Sequence, residues 1–146
     1  MAVLAAKEMG AGRIIAISRH ESRQKLARDF GATDIVFEHG EEGIARVMNL
    51  TAGVGADAVL ECVGTMESFA QALDCARPGG GIGYVGAPHG VSFDGQQLFF
   101  GQKRMLGGPA PVRRFLPDLM DRVLQGGINP SKVFDLELPL AKVTEG

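Results

Sequence analysis

The sequence predicts an α/β fold: a parallel β-sheet wound by helices on both faces. Three observations predict it. Short apolar runs alternate with segments of helical periodicity, which is the order of a doubly wound sheet. Those runs, such as Ile14-Ile15-Ala16-Ile17, are near-continuously apolar, as strands covered on both faces require. The 21 glycines stand mostly at the ends of apolar runs, where short connections turn.

Each element follows in order. Residues 1–9 read as a helix with Val3, Leu4 and Met9 on its buried side and Gly10 as its stop. Residues 14–17 are a β-branched strand. A second helix, residues 21–30, is started by Ser18 or His20 and stopped by Gly31; its Leu26, Ala27 and Phe30 recur at helical spacing. A short strand spans 34–37. A third helix, 41–50, turns Ile44, Val47, Met48 and Leu50 inward and closes around Gly53. Residues 56–63 are another buried strand, ended by Gly64. A helix over 66–76 is stopped by Arg77-Pro78-Gly79-Gly80, and a strand over 81–85 ends at Gly86. Residues 87–97 read as loop. A strand over 102–106 ends at Gly107-Gly108-Pro109, and a helix over 115–124 follows Pro111. Residues 133–138 alternate and read as a half-exposed strand, and 140–146 as the first turns of a helix. Both ends stop inside an element, so residues 1–146 read as a single, partial domain.

Composition narrows the function. Of 146 residues, 45% are hydrophobic and 22% charged, the balance of a soluble globular domain with a sizeable core. A formal net charge of −2 offers nucleic acid no basic footprint, and Arg13 and Arg28 read as solvated helix positions. No apolar run approaches the ~20 residues of a membrane span, and no secretory signal is read. Two cysteines, Cys62 and Cys75, make no disulfide framework; they read as buried free thiols in a reducing cytoplasm.

The stretch after the 14–17 strand carries the most chemistry. It runs Ser18-Arg19-His20-Glu21-Ser22-Arg23, a basic, hydroxyl-rich turn that re-enters a helix. Four further segments carry a resemblance: Ala5-Ala6-Lys7 through Gly10-Ala11 to Ile14-Ile15-Ala16; Leu26-Ala27 with Phe30-Gly31-Ala32-Thr33-Asp34; Gly55-Ala56-Asp57 with Glu61-Cys62-Val63-Gly64; and Arg77-Pro78-Gly79-Gly80 with Tyr84-Val85-Gly86. In this order and spacing the chain resembles the medium-chain, zinc-type alcohol dehydrogenase superfamily.

The resemblance implies a Rossmann-type doubly wound parallel sheet lacking its first strand and glycine loop. It implies the cofactor-binding half of a two-domain enzyme that moves hydride between nicotinamide and a zinc-bound alcohol or carbonyl. The zinc ligands and the GxGxxG turn would precede residue 1, so no metal site and no catalytic residue is expected here. In the order 3-2-1-4-5-6 the strands at 14–17 and 56–63 would lose a shared neighbour. The sheet then closes over the gap, borrows a strand, or stays partly open.

The same resemblance assigns a groove. Where an NAD-specific site carries an acid, this chain has Ser18 followed by Arg19, so NADP(H) is favoured over NAD(H): a guanidinium grips a phosphate in two-pronged fashion and the hydroxyl adds a bond. Arg23 is a second phosphate ligand or a surface salt-bridge partner. His20 caps the helix, stacks on adenine, or is a solvated turn residue. Val63 and Gly64, then Val85, Gly86 and Ala87, then Gly107 and Gly108, end successive strands along the cofactor groove, each glycine being otherwise only a tight turn. Cys62 reads as a core thiol, while the exposure of Glu61 is open.

Other chemistries find less support. Tyr84, the one tyrosine, is followed four residues later by Pro88 rather than the Lys of a short-chain dehydrogenase, and no Gly-x-Ser-x-Gly occurs. The alternative is a non-catalytic assembly module. It would dimerise through an exposed sheet edge at 102–108, or 133–138, with Phe99-Phe100 at its apolar centre or in the core.

Overall fold

The computed structural model describes residues 1–85 and 88–145. The chain divides into two compact units: residues 2–110, and Met1 together with the segment from Pro111 onward.

The first unit opens with α1 (Ala2–Glu8), which ends where Gly10 turns left-handed. Strand β1 (Ile15–Ile17) leads into α2 (Glu21–Asp29), and β2 (Asp34–Val36) into α3 (Gly40–Leu50). Then follow β3 (Ala56–Glu61), α4 (Met66–Cys75), β4 (Ala76–Tyr84), α5 (Gly95–Phe100) and β5 (Arg104–Gly107). The strands form two parallel sheets, β1-β2 and β3-β4-β5. Among the described residues β1 and β3 do not pair, so the sheet has not closed over the gap. The continuous apolar runs are consequently less covered than expected. Ile17 is 37% and Leu60 50% exposed. Met9, expected on the buried side of α1, is also exposed, whereas Leu4 is buried.

Two apolar clusters hold this unit. Ala72 and Leu73 of α4 pack on Ala76 and Ile82 of β4, joined by Val59, Leu98 and Met105. Val36, Val47 and Cys75 form the other, with Ile15, Ile44, Leu50 and, again, Val59. Burial pushes the Cys75 thiol up to about 11, so it stays protonated as a core group. Cys62, by contrast, is exposed, which corrects the expectation of two buried thiols.

Four more expectations change. The Arg77-Pro78-Gly79-Gly80 stretch does not stop α4 short of a strand; it lies inside β4. Register runs from Ala56↔Ala76 to Ala58↔Gly81, so the extra residues form an irregularity that tolerates a proline without an amide. Residues 95–97, read as loop, begin α5, because the Asp94 side chain accepts from the Gln96 amide and caps it. Residues 133–138 form no strand: Phe134 and Leu136 stay exposed, and among the described residues no neighbour supplies a ladder. Instead a 3-10 turn, Pro130–Val133, starts at Asn129. In the second unit α6 (Val112–Leu124) begins three residues earlier than its periodicity suggested, directly after Pro111.

Arg13 is not a solvated helix residue. It precedes β1 and grips Asp34 at the start of β2 through two bonds of 2.8 and 2.9 Å, and also donates to the Leu50 carbonyl. This grip, first, and the Thr33 hydroxyl, second, hold the Asp34 carboxyl at about 2 rather than 3.8. The folded value is depressed, so the stabilisation is fully present above pH 3.8 and is lost as pH falls towards 2. Denaturant midpoints of wild type and Asp34→Asn should therefore differ at neutral pH and converge in that acid window.

Tyr84 and Gly107 are opposite each other across β4 and β5. The Tyr84 ring lies so close to Gly107 that a Cβ there would sit 2.2 Å from it. Phe69 backs the same ring at 5.5 Å, so it cannot swing away freely. Gly107→Ala should lower stability by about 1 kcal/mol through overpacking. A Tyr84→Ala background should remove most of that cost in a double-mutant cycle.

Candidate functional site

Parallel pairing places the carboxyl ends of β3, β4 and β5 in one row, through the register Glu61↔Tyr84 and Tyr84↔Gly107. Val63 and Gly64 follow β3, Val85 follows β4, and Gly107 closes β5 ahead of Gly108. The structure thus brings five of the expected groove residues to one edge. Gly86 and Ala87 lie outside the described residues. Val63 and Val85 are exposed at 73% and 62%, so this edge is open to a ligand. Gly64 has φ +87° with no atom within 4 Å of where a Cβ would stand, so backbone conformation rather than crowding calls for glycine here.

One buried acid organises this edge. Glu61, the last residue of β3, is only 4% exposed. Its Oε1 accepts from the amides of Val63 at 2.8 Å and Gly64 at 2.9 Å. Its Oε2 is buried with no partner among the described residues. The neighbouring Cys62 thiol is pushed up, mainly by desolvation and then by the Glu61 charge, which disfavours a thiolate. Immediately beyond Gly64, α4 starts on a capping box: Thr65 Oγ1 accepts from the Ser68 amide, and Ser68 Oγ from the Thr65 amide. Strand end, turn and helix start are therefore all tied by hydrogen bonds.

The β1 end is a second fixed turn. The Ser18 amide donates to Val36 at 3.0 Å, extending the β1-β2 ladder by one residue. Ser18 Oγ accepts from the His20 amide at 3.3 Å, and its carbonyl accepts from the Gln24 side chain at 2.8 Å. Arg19 and Arg23 are exposed. Neither forms an ion pair among the described residues, so the salt-bridge reading of Arg23 has no partner here. His20 occupies the N-cap of α2 by position, without a side-chain cap. An exposed guanidinium that follows a hydroxyl in sequence, on a braced turn, suits an anion.

Among the described residues no group of three His, Cys, Asp or Glu side chains gathers as metal ligands. No helix of the described residues is long and apolar enough to cross a membrane. Sequence reasoning missed the Glu61 clamp and the Tyr84–Gly107 contact. An acid closing an apolar strand, three residues before a glycine, was the available signal for the first.

Comparison with known proteins agrees with the fold. The zinc-binding dehydrogenase family model matches residues 1–124. The zinc-type alcohol dehydrogenase B of Aspergillus flavus is 33% identical over 147 residues, covering 99% of this chain and 34% of that protein. The NADP-dependent isopropanol dehydrogenase of Thermoanaerobacter brockii is 35% identical over 141 residues, 91% of this chain and 40% of that one. Among solved structures, benzyl alcohol dehydrogenase from Acinetobacter calcoaceticus superposes with a TM-score of 0.74 at 34% identity, over 86% of this chain and 36% of its own. An alcohol dehydrogenase zinc-binding domain protein from Burkholderia ambifaria reaches 0.84 at 30% identity, over 99% and 40%. The chain thus spans between 34% and 40% of these two curated relatives.

Proposed function

Because this chain belongs to the zinc-binding dehydrogenase family, we propose that it is the dinucleotide-holding part of an oxidoreductase. The whole enzyme moves hydride between nicotinamide and an alcohol or carbonyl. The nicotinamide, when bound, supplies or accepts the hydride; the residues of this chain hold and orient it. Val63, Gly64, Val85, Gly86, Ala87, Gly107 and Gly108 line the groove. Ser18 and Arg19, with Arg23 in support, take the 2′-phosphate of NADP(H). Zinc chemistry falls to residues outside this chain. Two free thiols suit a reducing cytoplasm.

The observation that carries the reading is the braced Ser18–Arg19 turn, with an exposed guanidinium that forms no ion pair among the described residues. Calorimetric titration of this chain with NADPH and NADH, side by side, tests it. Micromolar binding of NADPH with NADH at least about tenfold weaker is expected. Silence towards both, in a chain shown to be folded, would leave the assembly reading.

That second reading also has an observation behind it. Among the described residues strand β5 forms one edge of its sheet; its Leu106 is 75% exposed, and Phe99 and Phe100 of the preceding α5 are 76% and 78% exposed. An unpaired edge with apolar neighbours invites a second copy. Light scattering at tens of micromolar should return a dimer mass; a monomer mass counts against pairing.

A further inference from the structure

We propose that Tyr84 is a positioning residue for the nicotinamide half of the dinucleotide. Its ring, seated on Gly107, sets the spacing between the carboxyl ends of β4 and β5. The proposal rests on the dinucleotide reading above. Tyr84 is the last residue of β4, in register with Glu61 of β3 on one side and Gly107 of β5 on the other. It therefore pairs with the last residue of each neighbouring strand. Val85 follows it and Gly108 follows Gly107, so both groove positions hang on this one contact.

The two glycines that close β5 are needed for different reasons. Gly108 has φ +147° and no atom within 4 Å of an added Cβ, so its backbone conformation calls for glycine. Gly107 is outside the left-handed region, and a Cβ there would stand 2.2 Å from the Tyr84 ring. Space, not backbone, excludes a side chain at 107: the ring fills that place. Phe69 backs the ring at 5.5 Å, and the Val85 amide donates to the Glu61 carbonyl at 2.9 Å. Ring and β4 end are both held, so β5 cannot close on β4 without displacing the ring. A ligand edge that must keep one geometry needs such support behind it.

The half of the dinucleotide concerned follows from the layout. The 2′-phosphate belongs to the adenosine half, which the reading above assigns to Ser18 and Arg19 beyond β1. Val59 of β3 joins Ile15 and Val36 of the other sheet in one apolar cluster, so β4 and β5 lie on the side of their sheet away from that turn. The nicotinamide half is then the part that reaches Val85 and Gly108. Tyr84 acts on it through the strand ends.

The test titrates wild type, Tyr84→Phe and Tyr84→Ala with NADPH and with adenosine 2′,5′-bisphosphate, which carries adenine and the 2′-phosphate but no nicotinamide. Phe keeps the ring and should hold both affinities within about threefold of wild type. Ala should weaken NADPH by about tenfold and leave the bisphosphate within about twofold. A merely structural residue would not give that split, since general loosening weakens both probes alike. Equal loss for both probes therefore overturns the proposal. So does NADPH affinity that survives Ala, or a Phe variant that loses as much as Ala. Wild type that binds NADPH no more tightly than the bisphosphate also overturns it, because the nicotinamide half then has no held place. Wild type silent to both probes sinks the dinucleotide reading, and the proposal with it. Should Ala not fold, Tyr84→Leu, which keeps apolar bulk without the ring, takes its place under the same expectations and the same refutations.

Discussion

Arg19→Asp is expected to erase selection for NADPH, lowering its affinity by about ten- to a hundredfold while NADH affinity holds or rises. The size follows from charge-assisted hydrogen bonding, worth about 1.5–3 kcal/mol for a charged partner. The sign follows from replacing an attractive guanidinium with a carboxylate that repels phosphate and suits ribose hydroxyls. Arg19 is exposed and makes no ion pair among the described residues, so folding stability should change by less than about 0.5 kcal/mol. Arg19→Ala separates lost attraction from added repulsion. Arg23→Ala, one helical turn on, should have the smaller effect, because it lies beyond the braced turn. NADPH affinity that survives Arg19→Asp would remove Arg19 from the site and pass the role to Arg23.

Phe69→Ala should be the most destabilising single substitution argued here, at about 3–5 kcal/mol. Phe69 lies on α4, is 1% exposed, and meets the Tyr84 ring at 5.5 Å and 57°. Removing it opens a cavity between α4 and β4, where Leu73 and Ile82 already close the core. A domain of this size is stable by only about 5–15 kcal/mol, so the loss is a large share. The effect should also spread. Tyr84, no longer backed, gains freedom over Gly107, and the carboxyl ends of β4 and β5 loosen. Urea denaturation gives the first quantity, and amide exchange at Val85 and Gly107 the second. A loss under about 1 kcal/mol would mean that α4 does not close this core. Phe69→Leu, which keeps most of the volume, should cost much less.

Much of the scaffold was legible from local pattern. Helices α2, α3 and α4 lie within a residue or so of their expected spans, because apolar spacing is a local signal, joined at α2 and α3 by a following left-handed glycine. The Ser18–Arg19 turn was likewise readable, since a strand that stops at a hydroxyl and a cation needs no distant partner to be recognised. Illegible features were those set by distant residues. Arg13 looked like a surface cation until Asp34 and the Leu50 carbonyl arrived beside it from 21 and 37 residues away. The 133–138 stretch alternates as a strand does, but a strand exists only with a neighbour to pair with, and among the described residues none comes.

The sequence by itself determined the type and order of the elements from α1 to β4 and the residues at their strands' carboxyl ends. Periodicity and turn chemistry act over a few residues and are written directly in the chain. Tertiary structure alone decided which groups are hidden. Cys62 and Glu61 are neighbours in one apolar stretch, yet the thiol is exposed and the carboxyl buried. Alternate residues of a strand face opposite sides. Which side is covered depends on where α4 and β4 come to lie, and those contacts are made only when the chain folds.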